Sequence, residues 1–367
     1  MDGALIFKYS MEGNGGPMAT RLRVGVLFGG ISSEREVSLE SGRHVYHNLN
    51  PEKYQGIPIF MDQEGRLWEI PIKLLYRNTT RDIAARVEKE AKRVLYEDLK
   101  ELVDFVFIAL HGKYGEDGCL QGLLELQGIP YNGSGILASA LGMDKARQRW
   151  ILTAAGVNVP RHMTVTKREW EANQKDVIKR VKDAFGFPCV VKPTREGCST
   201  GLCKARDEER LTTAIKNAFM YDSVILIEEN LEGMEVTTTI IGNEPVALLP
   251  TETPPAYGHD YLTLEDKFMP GGAEMITPAR LPAPLLKKVQ EEMLKAYKAL
   301  GIRVYARIDG FVVGDRVIVT EPNTLPGVTP STCAFQQAAE AGMEPMQFIE
   351  RIIELSLEAH REKIGPL

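Results

Sequence analysis

The stretch ARIDGFVVGDRVIVTEPNTLPG, residues 306–327, decides the fold. Two runs rich in β-branched residues, 304–313 and 317–323, flank a short turn and predict a hairpin. Arg307 and Asp309 lie two apart and share one face of the first strand; Glu321 and Asn323 do the same on the second. One arginine, two carboxylates and an amide on adjoining strands make a donor set for a hard cation with a cationic neighbour. Register settles whether they meet. A two-residue turn at Gly314-Asp315 pairs Asp309 with Thr320 and sends Glu321 to the opposite face. A three-residue turn, Gly314 to Arg316, pairs Asp309 with Glu321 and Arg307 with Asn323. The matched four predict the odd-length turn; a half-exposed hairpin with solvated charges is the competing reading. The Thr-Leu-Pro-Gly that follows is a backbone turn of the kind that aims an N–H into a site.

Around this stretch lies an ordinary globular chain. Its 367 residues predict two or three domains with ample core, and 44% apolar with 26% charged residues fits that class. With 44 Lys+Arg against 50 Asp+Glu the net charge is −6, and no long basic run supports nucleic-acid binding. No apolar run approaches the roughly 18 residues that span a bilayer, so no membrane segment is expected. Residues 1–20 are polar, Gly-rich around 13–16, and without the apolar stretch of a secretory signal; a disordered or tag-like tail is expected. Five cysteines, at 119, 189, 198, 203 and 333, lack CxxC spacing, which points to reduced thiols in a cytoplasmic protein.

Residues 23–28 form a short apolar strand ended by Gly29-Gly30. Ser33-Glu34-Arg35-Glu36 then matches a capping box before a helix to about Leu49. Such a βα unit presents a helix N-terminus to a small ligand or anion, although Gly-Gly alone reads equally as an ordinary turn. A strand is predicted at 55–61 and an amphipathic helix at 82–98. The apolar run 105–110 reads as a strand buried in a parallel sheet. It enters the Gly-rich loop 111–118 at its carboxyl end, where open α/β sheets bind ligands. A second turn-rich loop covers 128–135, and the helix from about Ile136 carries Asp144 and Lys145.

A strand at 157–165 and a helix at 167–184 come next. Residues 188–201 then give a strand ending in Lys192 and a Gly/Ser/Thr loop, ingredients that suit a polyphosphate. The lysine precedes the loop, so this is not a P-loop, and in isolation a surface turn explains it as well. Further elements are a helix at 211–219, strands at 224–229 and 235–241, and helices at 285–300, 331–341 and 345–363. The long Gly/Pro-bearing loop 251–276 has the length of a lid and contains Lys267.

Five segments, in order and suitably spaced, resemble the D-alanine–D-alanine ligases of the ATP-grasp superfamily: GGISSEREVSLESG (29–42), HGKYGEDGCLQG (111–122), MDK (143–145), VKPTREGCSTG (191–201), and the ARID and TEPNTLPGVT segments of the opening stretch. The resemblance spans about 23–363. It implies an α/β and α+β chain: an N-terminal Rossmann-like (pre-ATP-grasp) domain at 21–135, a central small ATP-grasp subdomain at 136–234, and a C-terminal ATP-grasp domain at 235–367 with a lid at 253–276. It implies ATP and two Mg2+ ions as cofactors, with Mn2+ as a substitute, amino-acid substrates, a homodimer, and formation of an acyl phosphate that an amine attacks.

By the same resemblance, Lys145, Lys192 and the lid's Lys267 contact ATP phosphates. Glu228 and Leu231 edge the adenine, and Glu235 accepts from the ribose. Asp309, Glu321 and Asn323 ligate magnesium. Arg307 and the Gly327 N–H stabilise the developing oxyanion. Glu34 holds the first substrate's ammonium, Thr332 the second substrate's carboxylate, and His111 borders the second site. These roles make physical sense, because bringing a triphosphate to a carboxylate requires cations to offset repulsion.

The chain departs from the family pattern at Gly310 and Pro322, in the cation-binding signature, and at Cys198 and Phe268. Proline cannot donate to a ladder, so an edge or a bulge is expected near Pro322. Members commonly have Ser and Tyr where Cys198 and Phe268 stand, and these hydrogen-bond with the residue matched by Glu34. A thiol donates weakly and phenylalanine not at all, so a weaker lid contact is implied. Phe at the lid position is associated in this family with depsipeptide formation. The sequence therefore leads to a D-alanine–D-alanine ligase; a D-alanine–D-lactate or other dipeptide ligase is the alternative, and a non-catalytic nucleotide-binding protein a third reading.

Overall fold

The computed structural model describes residues 21–197, 201–254 and 274–364. The expected tail, Cys198, Lys267, Phe268 and most of the expected lid lie outside them.

Three sheets organise the chain. The first contains β1 (Leu22–Gly29), β2 (Tyr54–Met61), β3 (Leu67–Glu69), β4 (Lys92–Val94) and β5 (Phe105–Ile108), in the order β4-β3-β2-β1-β5. β1 runs parallel to both β2 and β5, as the uninterrupted apolar run of β5 predicts. Because β1 lies between them, its carboxyl end and that of β5 open side by side. That is the place where the chain switches direction across the sheet and leaves a crevice.

The second sheet is antiparallel: β6 (His162–Thr166), β7 (Cys189–Pro193), β8 (Cys203–Ala205) and β9 (Val224–Glu229), in the order β6-β9-β7-β8. Its own core gathers Val165, Trp170, Val181, Ile215 and Ile227. The third sheet holds β10 (Met234–Ile241), β11 (Val246–Ala247), β12 (Thr251–Glu252), β13 (Tyr305–Val313) and β14 (Arg316–Asn323), in the order β11-β10-β13-β14 with β12 also on β10. The helix Ala283–Ala299 covers one face through Val289, Met293 and Tyr297. Elsewhere Tyr305, Leu325 and Phe335 join Phe105 and Leu124 in one continuous core with the first sheet.

Several expected elements differ. The 82–98 helix is instead two short helices, Thr80–Ala84 and Val87–Glu90, followed by β4 and a 3-10 turn. Thr79 and Asp82 form a capping box there, and Val94 pairs with Leu67 at the sheet edge. The capping box expected at Ser33–Glu36 is absent. The helix Arg35–His47 has Glu34 at its N-cap without a side-chain bond, and Glu36 instead accepts from the Thr80 N–H and hydroxyl. The helix from Ile136 stops at Met143, because Asp144 caps a new one, Lys145–Ala154, by accepting from the Arg147 N–H. Asn173 likewise splits 167–184 by capping a second helix. The strand expected at 157–165 begins only at His162, with Val157 buried against the third sheet.

The opening hairpin pairs as the matched four required: Arg307 opposite Asn323, and Asp309 opposite Glu321. The reason is different. The turn has two residues, Gly314-Asp315, since Val313 faces Arg316. The odd residue is Thr320, extruded as a bulge where the register shifts between Asp309 and Gly310. Pro322 follows it on an edge strand, where a missing N–H is tolerated.

Candidate active site

Backbone placement builds the site from three directions. The carboxyl end of β1 leads to Glu34, that of β5 to His111, and the hairpin supplies Arg307, Asp309, Glu321 and Asn323. Arg307 forks onto Asp309, with Nε and Nη2 each 2.9 Å from a carboxylate oxygen. Thr237 on the neighbouring β10 donates to the same carboxylate at 2.6 Å. Burial lowers the Arg307 pKa, but Asp309 outweighs it and holds the guanidinium above its ordinary value. Across the hairpin, Lys145 Nζ is 2.8 Å from Glu321 and donates to the Glu196 carbonyl at 2.6 Å. The Asn323 side chain accepts from the Leu325 N–H at 3.1 Å.

A cavity of about 450 Å³ opens between the second and third sheets, within the range of small-molecule sites. Lys192, Glu228, Leu231, Glu235, Asp309 and Glu321, all expected at a nucleotide or cation, line it. Val190, Leu202, Met234 and Phe311 give it an apolar wall. Glu228 is buried with both oxygens engaged, by Lys192 at 2.6 Å and by Arg149 at 2.5 Å. Burial pushes its pKa up, yet Arg149 and Lys192 overcome this and hold it at about 2. The Lys192 ammonium is in turn lowered by burial, against the pull of Glu228. Both oxygens of the Glu228 carboxylate are thus held by cations where the residue borders the cavity.

Glu34, His111, Gly327 and Thr332 form the other end. A side chain at Gly112 would stand 2.7 Å from Glu34 Oε2, and one at Gly197 would stand 3.2 Å from Oε1. The absence of a Cβ at each lets the loops 111–118 and 194–197 close around this carboxylate. His111 is buried, shares a 2.9 Å contact between its Nε2 and the Ser41 hydroxyl, and is lowered to about 4 by burial and by Arg307. A Cβ on Gly327 would lie 3.8 Å from both His111 and Thr332. The Thr332 hydroxyl donates to the Thr329 carbonyl at 2.9 Å, at the start of the helix Cys333–Glu340.

Two residues of this site were not singled out in the sequence. Glu116 is buried, accepts the Gly112 N–H at 2.6 Å, and is pushed up to about 8 by burial and by the Glu34 carboxylate. Its only sequence signal is its place in the loop 111–118. Arg149 lies four residues after Lys145 on one helix face, a spacing that exposes the pairing once Lys145 is suspected. Among the described residues, no group of three or more His, Cys, Asp and Glu is arranged to hold a metal ion, and no helix is long and apolar enough to cross a membrane. Two carboxylates and an amide on one face still suit Mg2+, which takes few protein oxygens and completes its shell with phosphate and water.

Comparison with known proteins agrees with this geometry. The family model described as D-ala D-ala ligase N-terminus matches residues 23–134, and that described as D-ala D-ala ligase C-terminus matches residues 151–354. A D-alanine–D-alanine ligase of Geobacillus thermodenitrificans is 36% identical, over 94% of this chain and 97% of its own. The crystal structure of VanG D-Ala:D-Ser ligase from Enterococcus faecalis superposes with a TM-score of 0.81 at 30% identity, covering 92% of this chain and 100% of that one. The D-alanine–D-alanine ligase of Bacillus anthracis, solved with ATP, gives 0.73 at 32% identity, covering 93% and 99%. With both family models matched in order along most of its length, this chain belongs to the D-alanine–D-alanine ligase family and has the ATP-grasp fold preceded by a Rossmann-like domain.

Proposed function

We propose that this protein is an ATP-dependent ligase that joins two D-alanines through an acyl phosphate, releasing ADP and phosphate. The observation that carries it is that Lys192, Asp309 and Glu321 line one cavity between two sheets, with Arg307 ion-paired to Asp309 and Lys145 to Glu321 behind them. Phosphoryl transfer to a carboxylate needs cations held in place before the anions arrive, and each of these cations is fixed by a carboxylate partner. Lys145 and Lys192 face the phosphates, Leu231 and Glu228 edge the adenine, and Glu235 takes the ribose. Asp309, Glu321 and Asn323 would hold Mg2+, which would supply Lewis-acid polarisation of phosphate oxygens. Glu34 takes the first substrate's ammonium, and Arg307 with the Gly327 N–H holds the oxyanion. Thr332 and His111 border the second substrate; a neutral His111 adds no second positive charge beside the incoming amine.

The same reading carries a homodimer and a cytoplasmic setting as expectations of the family. The curated relatives bear the name of the D-alanine–D-alanine enzyme, which favours that product over a depsipeptide. Phosphate release from ATP, measured with and without D-alanine, tests the proposal. D-alanine should stimulate release and D-alanyl-D-alanine should be the product. No stimulation overturns the reading, and release only with D-lactate present replaces it with the ester-forming one.

A further inference from the structure

β14 carries one residue more than its partner uses. Pairing runs from Val313–Arg316 to Gly310–Val319, skips Thr320, and resumes at Asp309–Glu321. That skip turns the rest of the strand over and puts Glu321 and Asn323 on the face of Asp309. A bulge leaves a peptide unpaired, and β14 is an edge strand, so the Thr320 carbonyl needs a partner from outside the sheet. Arg149 supplies it: Nη2 donates to the Thr320 carbonyl while Nε donates to Glu228. The side chain is fully buried, and its Nη1 has no hydrogen-bond partner among the described residues. Gln148 reaches the Pro322 carbonyl at 3.3 Å, and the Val319 N–H reaches the Asn158 carbonyl at 2.8 Å; both steady the strand, but neither bonds Thr320.

We propose that Arg149 is a positioning residue that pins the bulge at Thr320 and so aims Glu321 beside Asp309, tying the nucleotide cavity to the cation face. Lysine at 149 keeps a charge beside Glu228, but it lacks the rigid guanidinium fork whose Nε and Nη2 meet both partners at once. Without the bond at Thr320, the two-residue turn favours a regular ladder. That ladder pairs Asp309 with Thr320 and turns Glu321 away. Deleting Thr320 removes the extra residue, so a regular ladder then restores the Asp309–Glu321 pair without help from Arg149.

The test compares wild type, Arg149→Lys, and Arg149→Lys with Thr320 deleted. Mn2+ binding in the presence of ATP is read by electron paramagnetic resonance, and kcat and KM for ATP by phosphate release. Arg149→Lys should weaken Mn2+ binding and lower kcat by about 10- to 100-fold, as losing a supporting contact does. KM for ATP should move by less than about threefold, because nucleotide binding itself is retained. The deletion should restore Mn2+ binding and most of kcat. Unchanged Mn2+ binding in Arg149→Lys overturns the proposal, as does a deletion that restores nothing. The rate assay rests on the ligase reading and the Mn2+ assay needs no amino acid. A wild type unresponsive to D-alanine therefore overturns that reading alone.

Discussion

Glu228 is the group whose removal the molecule should feel most. Its carboxylate is 3% exposed and lies between Arg149 and Lys192. The fall from an ordinary 4.5 to about 2 corresponds to about 3 kcal/mol at roughly 1.4 kcal/mol per pH unit. Glu228→Gln loses that and also strands two buried cations, which brings the expected cost to about 3–5 kcal/mol at pH 7. Because the folded value is depressed, the contribution is complete above about pH 4.5 and is lost as the pH falls toward 2. Urea unfolding followed by circular dichroism at pH 7, 5 and 4 reads the difference directly. The gap should be constant between pH 7 and 5 and begin to close by pH 4. Adding Lys192→Met to the variant should recover part of the loss, since one stranded cation is gone. A gap below about 1 kcal/mol at pH 7 refutes the reasoning, because it is the size of an ordinary surface effect. A gap that widens on acidification refutes it too.

Gly310→Ala should destabilise by about 1–3 kcal/mol in the same unfolding assay, because overpacking of this size costs that much; its Cβ would stand 2.6 Å from the Ile318 carbonyl oxygen, which is backbone and cannot rotate away. Glu116→Gln should raise the thermal midpoint. A carboxyl raised to about 8 stabilises fully below about 4.5 and progressively less as pH climbs to 8, so the variant's advantage should grow across pH 5–8, and a flat difference would count against the assignment. Asp309→Asn should cut D-alanine-stimulated phosphate release by about a hundredfold or more while leaving the circular dichroism unchanged; near-normal turnover would remove its proposed role.

The sheets with clear local patterns were legible from residue order. The run 105–110 contains a strand flanked by a parallel neighbour, and 224–229 is a strand over its whole expected length. What escaped was set by distant contacts. The Asp309–Glu321 pairing followed from residue types, but its cause did not. Turn length is a local signal, whereas the bulge at Thr320 is met by Arg149, 171 residues away in the chain. The helix from about Ile136 is expected from sequence to carry Asp144 and Lys145, and 167–184 to be one helix, because neither Asp144 nor Asn173 stands out until its side chain caps. Glu116 escaped because a carboxylate in a Gly-rich loop is unremarkable until burial and Glu34 surround it.

The second sheet enters and leaves the molecule at a single doorway. The Arg161 carbonyl accepts from the Glu229 N–H at 3.0 Å, just ahead of β6 and at the end of β9. Trp170, Val181 and Ile215 close a core around the sheet apart from the rest, whereas Phe105, Tyr305 and Phe335 share one. Recombination between relatives is therefore unequally tolerated along this chain. Residues 160–230 form a cassette whose two crossover points touch, so an exchange there leaves every core intact. A crossover near residue 135 would instead marry halves of one core from two parents, each shaped for a different partner.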